Sequence, residues 1–371
     1  MRIDLVDCMA YNHKKELSKP ERFSGGHRLC SGCGAGILSR AMTRALDEND
    51  RAVICNATGC LEVSSFMYPY TAWTDSYIHS AFENAPATCS GVEAAYTLMK
   101  KKGKIDDTYK FLVIGGDGGT YDIGFQSLSG AMERGHDLTY FCYDNEAYMN
   151  TGTQRSSSTP RFANATTTPV GTASTGKKQN KKNLTEILAA HDIPYAAQTT
   201  YIGNMKDLHE KAHRAIYTAG SAFVNVMSPC PRGWQYPAED LALICKMAVE
   251  TCVWPLYEVI EGKWYLNYVE PGNMGSFADV MTGRRVDAQW VVDDVFWETD
   301  VLLVAIFDAK TMDKNWGKGK MSDYVIQKYW LKREDVVESD GKTYKRISFP
   351  PNESMKDVQM EPPYGTFKPV N

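Results

Sequence analysis

The chain has no nucleotide-binding lysine motif, no long apolar run and no excess of basic charge. A nucleotide P-loop would need Gly-Lys-Ser or Gly-Lys-Thr after its glycines, whereas Gly119 is followed by Thr-Tyr-Asp. No apolar stretch reaches membrane-spanning length and no charged-then-apolar leader follows Met1, so we expect a cytoplasmic location. The net charge of −4 argues against broad nucleic-acid binding, which needs clustered lysines and arginines.

Strand-like and helical patterns alternate along the 371 residues, of which 43% are hydrophobic and 23% charged, as in soluble globular proteins. The runs typical of buried strands are Ala52–Asn56, Phe111–Gly115, Leu138–Tyr143 and Phe223–Met227. The helical patterns are Gly34–Leu46, Ala85–Lys101, Ile123–Arg134, Asn183–His191, Met205–Ala219 and Ala238–Glu250. This alternation predicts an α/β fold of the doubly wound type, with a mostly parallel sheet and helices on both faces.

Each predicted strand is followed by its most unusual residues. These segments are Thr58-Gly-Cys60, Gly116-Asp-Gly-Gly119, Asp144-Asn-Glu-Ala-Tyr-Met-Asn150 and Ser228-Pro-Cys230. Ligands of open α/β sheets bind outside the carboxyl ends of the strands. We therefore expect the four segments to converge on one crevice.

A Gly-Asp-Gly triplet around Asp117 and a second segment after the next strand predict a magnesium–diphosphate site. Magnesium takes oxygen ligands and keeps part of its shell for phosphate oxygens. Asp117, Asn145 and the carbonyl of Ala147 could supply the protein ligands. The glycines Gly116, Gly118 and Gly119 would let the backbone approach the diphosphate, and a helix expected to begin near Asp122 would add its positive end. A simple turn is the alternative interpretation of Gly-Asp-Gly alone.

Ten cysteines in a cytoplasmic chain indicate metal or cluster ligation rather than a disulfide framework. Cys30 and Cys33 form a Cys-Ser-Gly-Cys pair, and Cys60 and Cys230 each follow a strand. Four thiolates suit structural zinc or an iron–sulfur cluster, and the spacing leaves both open. The remaining cysteines are interpreted as structural: Cys8, Cys55, Cys89, Cys142, Cys245 and Cys252.

Two regions carry no clear site chemistry. Residues Thr151 to Lys182 are rich in Ser, Thr, Gly and Asn, and are expected to form a loop or lid beside the crevice. Their basic run after Gly176 is expected to be solvated, with contact to an acidic electron carrier or a substrate phosphate as the alternative. Residues 1–267 are expected to form the ligand-binding domain, and 268–371 a C-terminal extension with subunit contacts and a possible strand near Val301.

Several ordered motifs resemble the thiamine-diphosphate-binding β subunit of 2-oxoacid:ferredoxin oxidoreductases, with the pyruvate:ferredoxin oxidoreductase (pyruvate synthase) group nearest. The motifs are His27-Arg-Leu-Cys-Ser-Gly-Cys-Gly-Ala-Gly, Asn56-Ala-Thr-Gly-Cys, Tyr68-Pro-Tyr-Thr-Ala-Trp, His79-Ser-Ala-Phe-Glu-Asn-Ala, Gly116-Asp-Gly-Gly-Thr-Tyr-Asp-Ile-Gly and Tyr148-Met-Asn-Thr-Gly. The resemblance spans roughly residues 20 to 260. It implies the fold of the thiamine-diphosphate-binding type.

The resemblance also implies site residues. Cys30, Cys33, Cys60 and Cys230 would ligate a [4Fe-4S] cluster, and Asp117, Asn145 and Ala147 would hold Mg²⁺. The implied cofactor contacts are Thr58, Gly59, Cys60, Gly116, Asp117, Gly118, Gly119, Asn145, Glu146, Ala147, Tyr148, Met149 and Asn150. Asn150 would also face the substrate as a catalytic residue. Some relatives carry a glutamate where this chain has Ala35.

The implied activity is coenzyme A-dependent oxidative decarboxylation of a 2-oxoacid, pyruvate favoured, with electrons passing to ferredoxin. The partners that the resemblance implies are α, γ and ferredoxin-like δ subunits. This chain lacks the ferredoxin run Cys-x-x-Cys-x-x-Cys-x-x-x-Cys-Pro, so further clusters that carry electrons outward are expected on another subunit. The glutamate that activates the cofactor is expected on a partner; Glu83 is a local candidate, and His79 is expected to orient a loop. Alternatives are a sibling enzyme for aromatic, branched-chain or other 2-oxoacids, a non-redox decarboxylase or carboligase with zinc, and a non-catalytic binding subunit.

Overall fold

A central sheet of eight strands organises the part of the chain that the computed structural model describes, which comprises residues 12–172, 174–201, 205–250 and 253–267 and the backbone of 332–339 and 342–348. The described strands are β1 Arg51–Ala57, β2 Ser76–Ser80, β3 Tyr109–Gly116, β4 Thr139–Asp144, β5 Val170–Gly171, β6 Ser174–Thr175, β7 Tyr195–Thr200, β8 Ala222–Met227, β9 Tyr257–Ile260, β10 Lys263–Leu266, β11 Lys332–Ser339 and β12 Lys342–Ser348. Their order across the large sheet is β10-β9-β7-β8-β4-β3-β1-β2. The strands from β7 to β2 run parallel, and β9 is antiparallel to β7 and β10.

Helices cover both faces of this sheet. They are α1 His13–Ser18, α2 Gly34–Arg44, α3 Cys60–Ser65, α4 Ala85–Lys101, α5 Phe125–Glu133, α6 Leu184–Ala189, α7 Lys206–Tyr217, α8 Pro231–Trp234 and α9 Leu241–Glu250, with a π-helical turn Gly118–Ile123 and a 3₁₀ turn Ala238–Asp240. Side chains of β1 alternate between two cores: Ala52 and Ile54 pack with α2, α7 and α9, whereas Val53 and Cys55 pack with α4, α5 and α6. Burial on both faces is what a parallel sheet requires.

The predicted doubly wound α/β class and all four predicted strands are confirmed. The sequence patterns missed β2, whose side chains are partly exposed at the sheet edge, and β7, which contains little besides alanine and polar residues. They also missed the antiparallel β9 and β10.

The expected helix near Asp122 is confirmed as α5, which begins at Phe125, but helical coiling starts earlier than expected. The chain coils immediately after Asp117, first as the π-helical turn from Gly118 and then as α5. A close contact explains why glycine is needed here: a side chain at Gly119 would lie 3.1 Å from the Phe82 carbonyl oxygen. The glycines therefore belong to the first helical turn rather than to a loop before it.

The C-terminal prediction is largely untested. The run near Val301 lies outside the described residues, and β11 and β12 pair with each other as an antiparallel hairpin. Within the described ranges, every helix is too short or too polar to cross a bilayer.

Candidate cofactor site at the carboxyl edge of the sheet

A cleft at the carboxyl edge brings together the segments that follow β1, β3 and β4. These strands are neighbours, so their last residues lie side by side. The cleft is lined by Thr58, Gly59, Cys60, Phe82, Gly116, Asp117, Gly118, Gly119, Tyr143, Asn145, Ala147, Tyr148, Met149, Asn150 and Thr151. Every predicted cofactor contact except Glu146 lies in this lining, and Phe82, Tyr143 and Thr151 are additions that the sequence did not indicate.

Three polar groups meet in the cleft. One terminal atom of the Asn145 side-chain amide lies 2.8 Å from the Ala147 carbonyl oxygen and 2.9 Å from Asp117 Oδ1. Neighbouring ligands of an octahedral magnesium ion lie about 2.9 Å apart, because each magnesium–oxygen bond is about 2.1 Å long. Such a set of acceptors is favourable in two ways: with a cation among them, or with the amide turned so that its NH₂ group donates to both oxygens. The donor set and its spacing thus fit magnesium.

Asp117 is fully buried and bonded at both carboxylate oxygens. Oδ1 accepts the backbone N–H of Asn145 at 3.2 Å, and Oδ2 accepts the hydroxyl of Ser156 at 2.5 Å. Burial and the nearby carboxylate of Asp144 raise the pKa of Asp117 well above its usual range, while the Ser156 hydrogen bond and Lys181 act to lower it. A divalent cation would favour the ionised form further.

Glu146 points away from the cleft. Its backbone is left-handed (φ 67°), and its backbone N–H donates to Asp144 Oδ1 at 3.0 Å. Its side-chain Oε1 lies 3.4 Å from Lys181 Nζ. Glu146 therefore contacts Asp144 and Lys181 behind the cleft instead of lining the cleft itself.

The cleft glycines make room for tyrosine rings. A side chain at Gly118 would overlap the ring of Tyr148, and one at Gly59 would overlap the hydroxyl of Tyr143. The Tyr148 hydroxyl donates to the Gly118 carbonyl at 2.8 Å. The free volume of the cleft is about 30 Å³, which is room for roughly one water molecule.

The four cysteines predicted as ligands converge beside this cleft. Burial raises the pKa of the Cys60 thiol to about 12, and Cys230, Cys33 and Cys30 each raise it further by their charge. Burial raises the pKa of Cys33 to about 11, although the backbone N–H groups of its helix act to lower it. The raised pKa values mean that these thiols keep their protons unless a bound cation or cluster displaces them.

Three of these thiols stand at helix N-termini. Cys33 precedes α2, Cys60 begins α3 and Cys230 precedes α8, where its sulfur accepts the N–H of Gly233 at 3.2 Å. Helix N-termini stabilise thiolates. Within the described ranges, no three His, Cys, Asp or Glu side chains are grouped as ligands of one metal ion. A four-iron cluster would hold its thiolates further apart than one ion does.

Comparison with known proteins gives the family. Residues 57–226 match the family described as thiamine pyrophosphate enzyme, C-terminal TPP binding domain. Pyruvate synthase subunit PorB of Methanocaldococcus jannaschii is 50% identical over 255 residues, which are 68% of this chain and 85% of that one. PorB of Thermotoga maritima is 52% identical over 252 residues, 67% of this chain and 76% of that one.

The chain belongs to the PorB family. It is thus a thiamine-diphosphate-type β subunit of the 2-oxoacid:ferredoxin oxidoreductases, as its motifs predicted. Ketoisovalerate oxidoreductase subunit VorB of Pyrococcus furiosus is also similar, at 42% identity over 262 residues, 70% of this chain and 83% of that one. The similar proteins are thus named for two different 2-oxoacids, pyruvate and ketoisovalerate.

Three consecutive serines of the polar segment each donate to a different aspartate. Ser156 bonds Asp117, Ser157 bonds Asp122, and Ser158 bonds Asp144. Ser156 and Ser158 are fully buried. Buried aspartates need hydrogen-bond donors, and three serine hydroxyls supply them here. The sequence did not indicate these contacts.

The expectation that the basic run is solvated is wrong for three of its four lysines, whereas Lys178 is exposed as expected. Lys177 is 1% exposed and donates to the carbonyl of Ser157 at 3.0 Å and to that of Thr159, while Lys182 donates to the carbonyl of Tyr121. Lys181 lies 2.9 Å from Asp144. The run folds inward because it meets backbone carbonyls and buried carboxylates there. These lysine contacts hold the polar segment against the residues around the cleft.

His79 holds the cleft residue Thr58 in place. Its Nε2 lies 2.8 Å from the Thr58 hydroxyl, and its Nδ1 lies 3.5 Å from the buried carboxylate of Glu62. Burial raises the pKa of Glu62, and His79 acts to lower it.

Glu83 is exposed and lies outside the cleft lining, and Ala35 is buried in the core.

Proposed function

We propose that this β subunit binds thiamine diphosphate for the coenzyme A-dependent oxidative decarboxylation of pyruvate, or the reverse reaction, with ferredoxin as the electron partner. One observation carries the proposal: Cys60 lines the same cleft as Asp117, so a set of thiols and a set of magnesium-type oxygens share one edge of the sheet. A subunit that only bound the cofactor would need the oxygens alone. Thiols beside them supply a place for an electron acceptor.

Asp117, Asn145 and the Ala147 carbonyl would hold Mg²⁺ and leave its other positions to diphosphate oxygens. Thiamine diphosphate, when bound, would supply a carbanion for addition to the 2-oxo carbon and an electron sink for the decarboxylation. The protein's part is to bind and orient it. Asn150, an exposed residue of the cleft lining, is assigned to substrate contact, and Thr58, fixed by His79, to the opposite wall.

Cys30, Cys33, Cys60 and Cys230 would hold a [4Fe-4S] cluster that accepts these electrons one at a time. A direct contact supports closeness of the two sites. Trp234 of α8, which follows Cys230, donates its indole N–H to the backbone carbonyl of Asn145 at 3.0 Å. The segment that contains Cys230 is thereby packed against the segment that contains Asn145.

A partner subunit is proposed to complete the site. Large apolar side chains are exposed beside the cleft, after α3: Phe66, Met67, Tyr68 and Tyr70. Exposed patches of this kind mark interaction surfaces. The partner would supply the glutamate that activates the aminopyrimidine, and a ferredoxin-like subunit would carry electrons onward.

Reconstitution tests this proposal. The complex should be isolated without oxygen, assayed for iron and visible absorption, and supplied with thiamine diphosphate, Mg²⁺, coenzyme A and a viologen acceptor. We expect iron, a charge-transfer absorption band and viologen reduction that depends on pyruvate. Zinc without iron would instead favour the non-redox decarboxylase or carboligase.

The similarity to VorB favours a second candidate substrate, a branched-chain 2-oxoacid. A panel of pyruvate, 2-oxoisovalerate, 2-oxoglutarate and phenylglyoxylate separates the possibilities through kcat/KM. A value for 2-oxoisovalerate above that for pyruvate would overturn the pyruvate assignment and leave the family intact.

A further inference from the structure

We propose that Ser156 is a positioning residue for the divalent cation. Its hydroxyl fixes the carboxylate of Asp117 so that Oδ1 faces the side-chain amide of Asn145, which in turn contacts the Ala147 carbonyl. This inference rests on the proposed magnesium site and adds to it a residue from the polar segment.

The direction of the Ser156 hydroxyl is set by its neighbours. The backbone N–H of Ser158 donates to Ser156 Oγ at 3.1 Å, and the backbone N–H of Ser156 donates to Thr159 Oγ1 at 2.9 Å. The hydroxyl has one proton, and Asp117 Oδ2 lies within hydrogen-bond distance to accept it. Because Ser156 is fully buried, bulk water does not compete for this bond.

This bond decides which carboxylate oxygen is left for a cation. Oδ2 accepts the hydroxyl of Ser156. Oδ1 accepts the backbone N–H of Asn145 at 3.2 Å and lies 2.9 Å from the side-chain amide of the same residue. Rotation of the carboxylate would break both hydrogen bonds. Groups that orient metal ligands in this way typically contribute about 10-fold to 100-fold to metal affinity.

The neighbouring serine offers a matched control. Ser157 lies on the same turn and donates its hydroxyl and its backbone N–H to Asp122, which is outside the cleft lining. Removal of its hydroxyl disturbs the same segment without touching Asp117. A difference between the two serines therefore reports on the contact with Asp117 rather than on the segment as a whole.

The experiment measures Mn²⁺ affinity by electron paramagnetic resonance in the assembled complex with thiamine diphosphate. We expect Ser156→Ala to weaken Mn²⁺ binding about 10-fold to 100-fold, and Ser157→Ala to leave it within twofold. In turnover assays, the Mn²⁺ concentration that gives half-maximal rate should rise by the same factor in Ser156→Ala, which separates a weaker metal site from a loss of folded protein. Ser156→Cys keeps the side-chain volume but donates weakly, so it should shift the affinity in the same direction without leaving a cavity.

The outcomes separate this inference from the proposed function. Parent-like Mn²⁺ affinity in Ser156→Cys, or in a folded Ser156→Ala, together with loss of binding in Asp117→Asn, overturns the role of Ser156 alone. Equal weakening by Ser157→Ala also overturns it, because the effect would then belong to the segment. Parent-like affinity in Asp117→Asn overturns the magnesium site and the inference with it.

Discussion

The ammonium group of Lys181 lies 2.9 Å from the carboxylate of Asp144, in the layer directly behind the cofactor cleft. The same ammonium lies 3.4 Å from Glu146 and 4.6 Å from the ring centre of Trp254. Asp144 itself is fully buried. A lysine from a segment rich in polar residues thus supplies the positive charge for two carboxylates next to the proposed magnesium ligands.

Replacement of Lys181 by methionine should lower the free energy of unfolding by about 3 kcal/mol, because it removes the ammonium group beside the fully buried carboxylate of Asp144. Urea unfolding of the complex, followed by tryptophan fluorescence, measures the change. Lys178→Met removes an exposed lysine of the same run and should change stability by no more than about 0.5 kcal/mol. A loss in Lys178→Met as large as that in Lys181→Met would contradict the assignment.

The lysine run shows where sequence reasoning failed. Lysine and serine are mostly exposed in proteins, so a segment rich in both is expected to be solvated. The partners that bury Lys181 and Ser156 are Asp144 and Asp117, which are distant in sequence. Only the fold brings them together.

The convergence of the motifs could be predicted, in contrast, because it depends on strand direction alone. Parallel strands present their carboxyl ends at one edge, so Thr58, Asp117 and Asn145 had to meet once β1, β3 and β4 were recognised. The sequence could not predict which side chains the glycines would make room for. Gly59 and Gly118 accommodate the rings of Tyr143 and Tyr148, which are contacts between separate segments.

Cys60→Ser should lower both the visible absorption and the iron content of the complex by the amount of one cluster, with the clusters of the ferredoxin-like subunit unchanged. The physical reason is the loss of one of four thiolates that would share the cluster. Cys89→Ala provides the matched change, because Cys89 is fully buried between α4 and the sheet, away from the cleft. Iron content that stays at the parent level in Cys60→Ser would exclude this cysteine as a ligand.

Gly118→Ala should destabilise the protein by about 1–3 kcal/mol and weaken thiamine diphosphate binding, because the added methyl group would lie 2.7 Å from the Cζ atom of Tyr148 and closer to two other ring carbons. The companion change Tyr148→Ala should restore part of the stability. Gly91→Ala, on α4 with no atom within 4 Å of the new methyl group, should instead stabilise by about 0.5–1 kcal/mol. Calorimetric titration with the cofactor and urea unfolding measure the two effects.

His209 should make stability depend on pH below neutrality. Burial lowers its pKa to about 4, although Glu16, 3.4 Å from Nε2, acts in the opposite direction. An unfolded histidine has a pKa of about 6.5, so between these values the unfolded chain binds more protons and stability falls as the pH falls. The urea midpoint should therefore drop less between pH 6.5 and pH 4 in His209→Gln than in the parent. Equal drops in the two proteins would show that another group is responsible.

The exposed aromatic pair after α3 should contribute to assembly of the complex. Tyr68 is 91% exposed and Tyr70 is 77% exposed. Both follow Phe66, whose ring centre lies 5.8 Å from that of His79, and His79 contacts the cleft residue Thr58. Buried tyrosines at interfaces commonly contribute about 2 kcal/mol or more, so the double change of Tyr68 and Tyr70 to serine should weaken subunit association by at least about 10-fold. Leu98→Ser provides the control, because Leu98 is 52% exposed near the end of α4, at the opposite edge of the sheet. Sedimentation of the mixed subunits measures association, and parent-like assembly of the double variant would place the partner elsewhere.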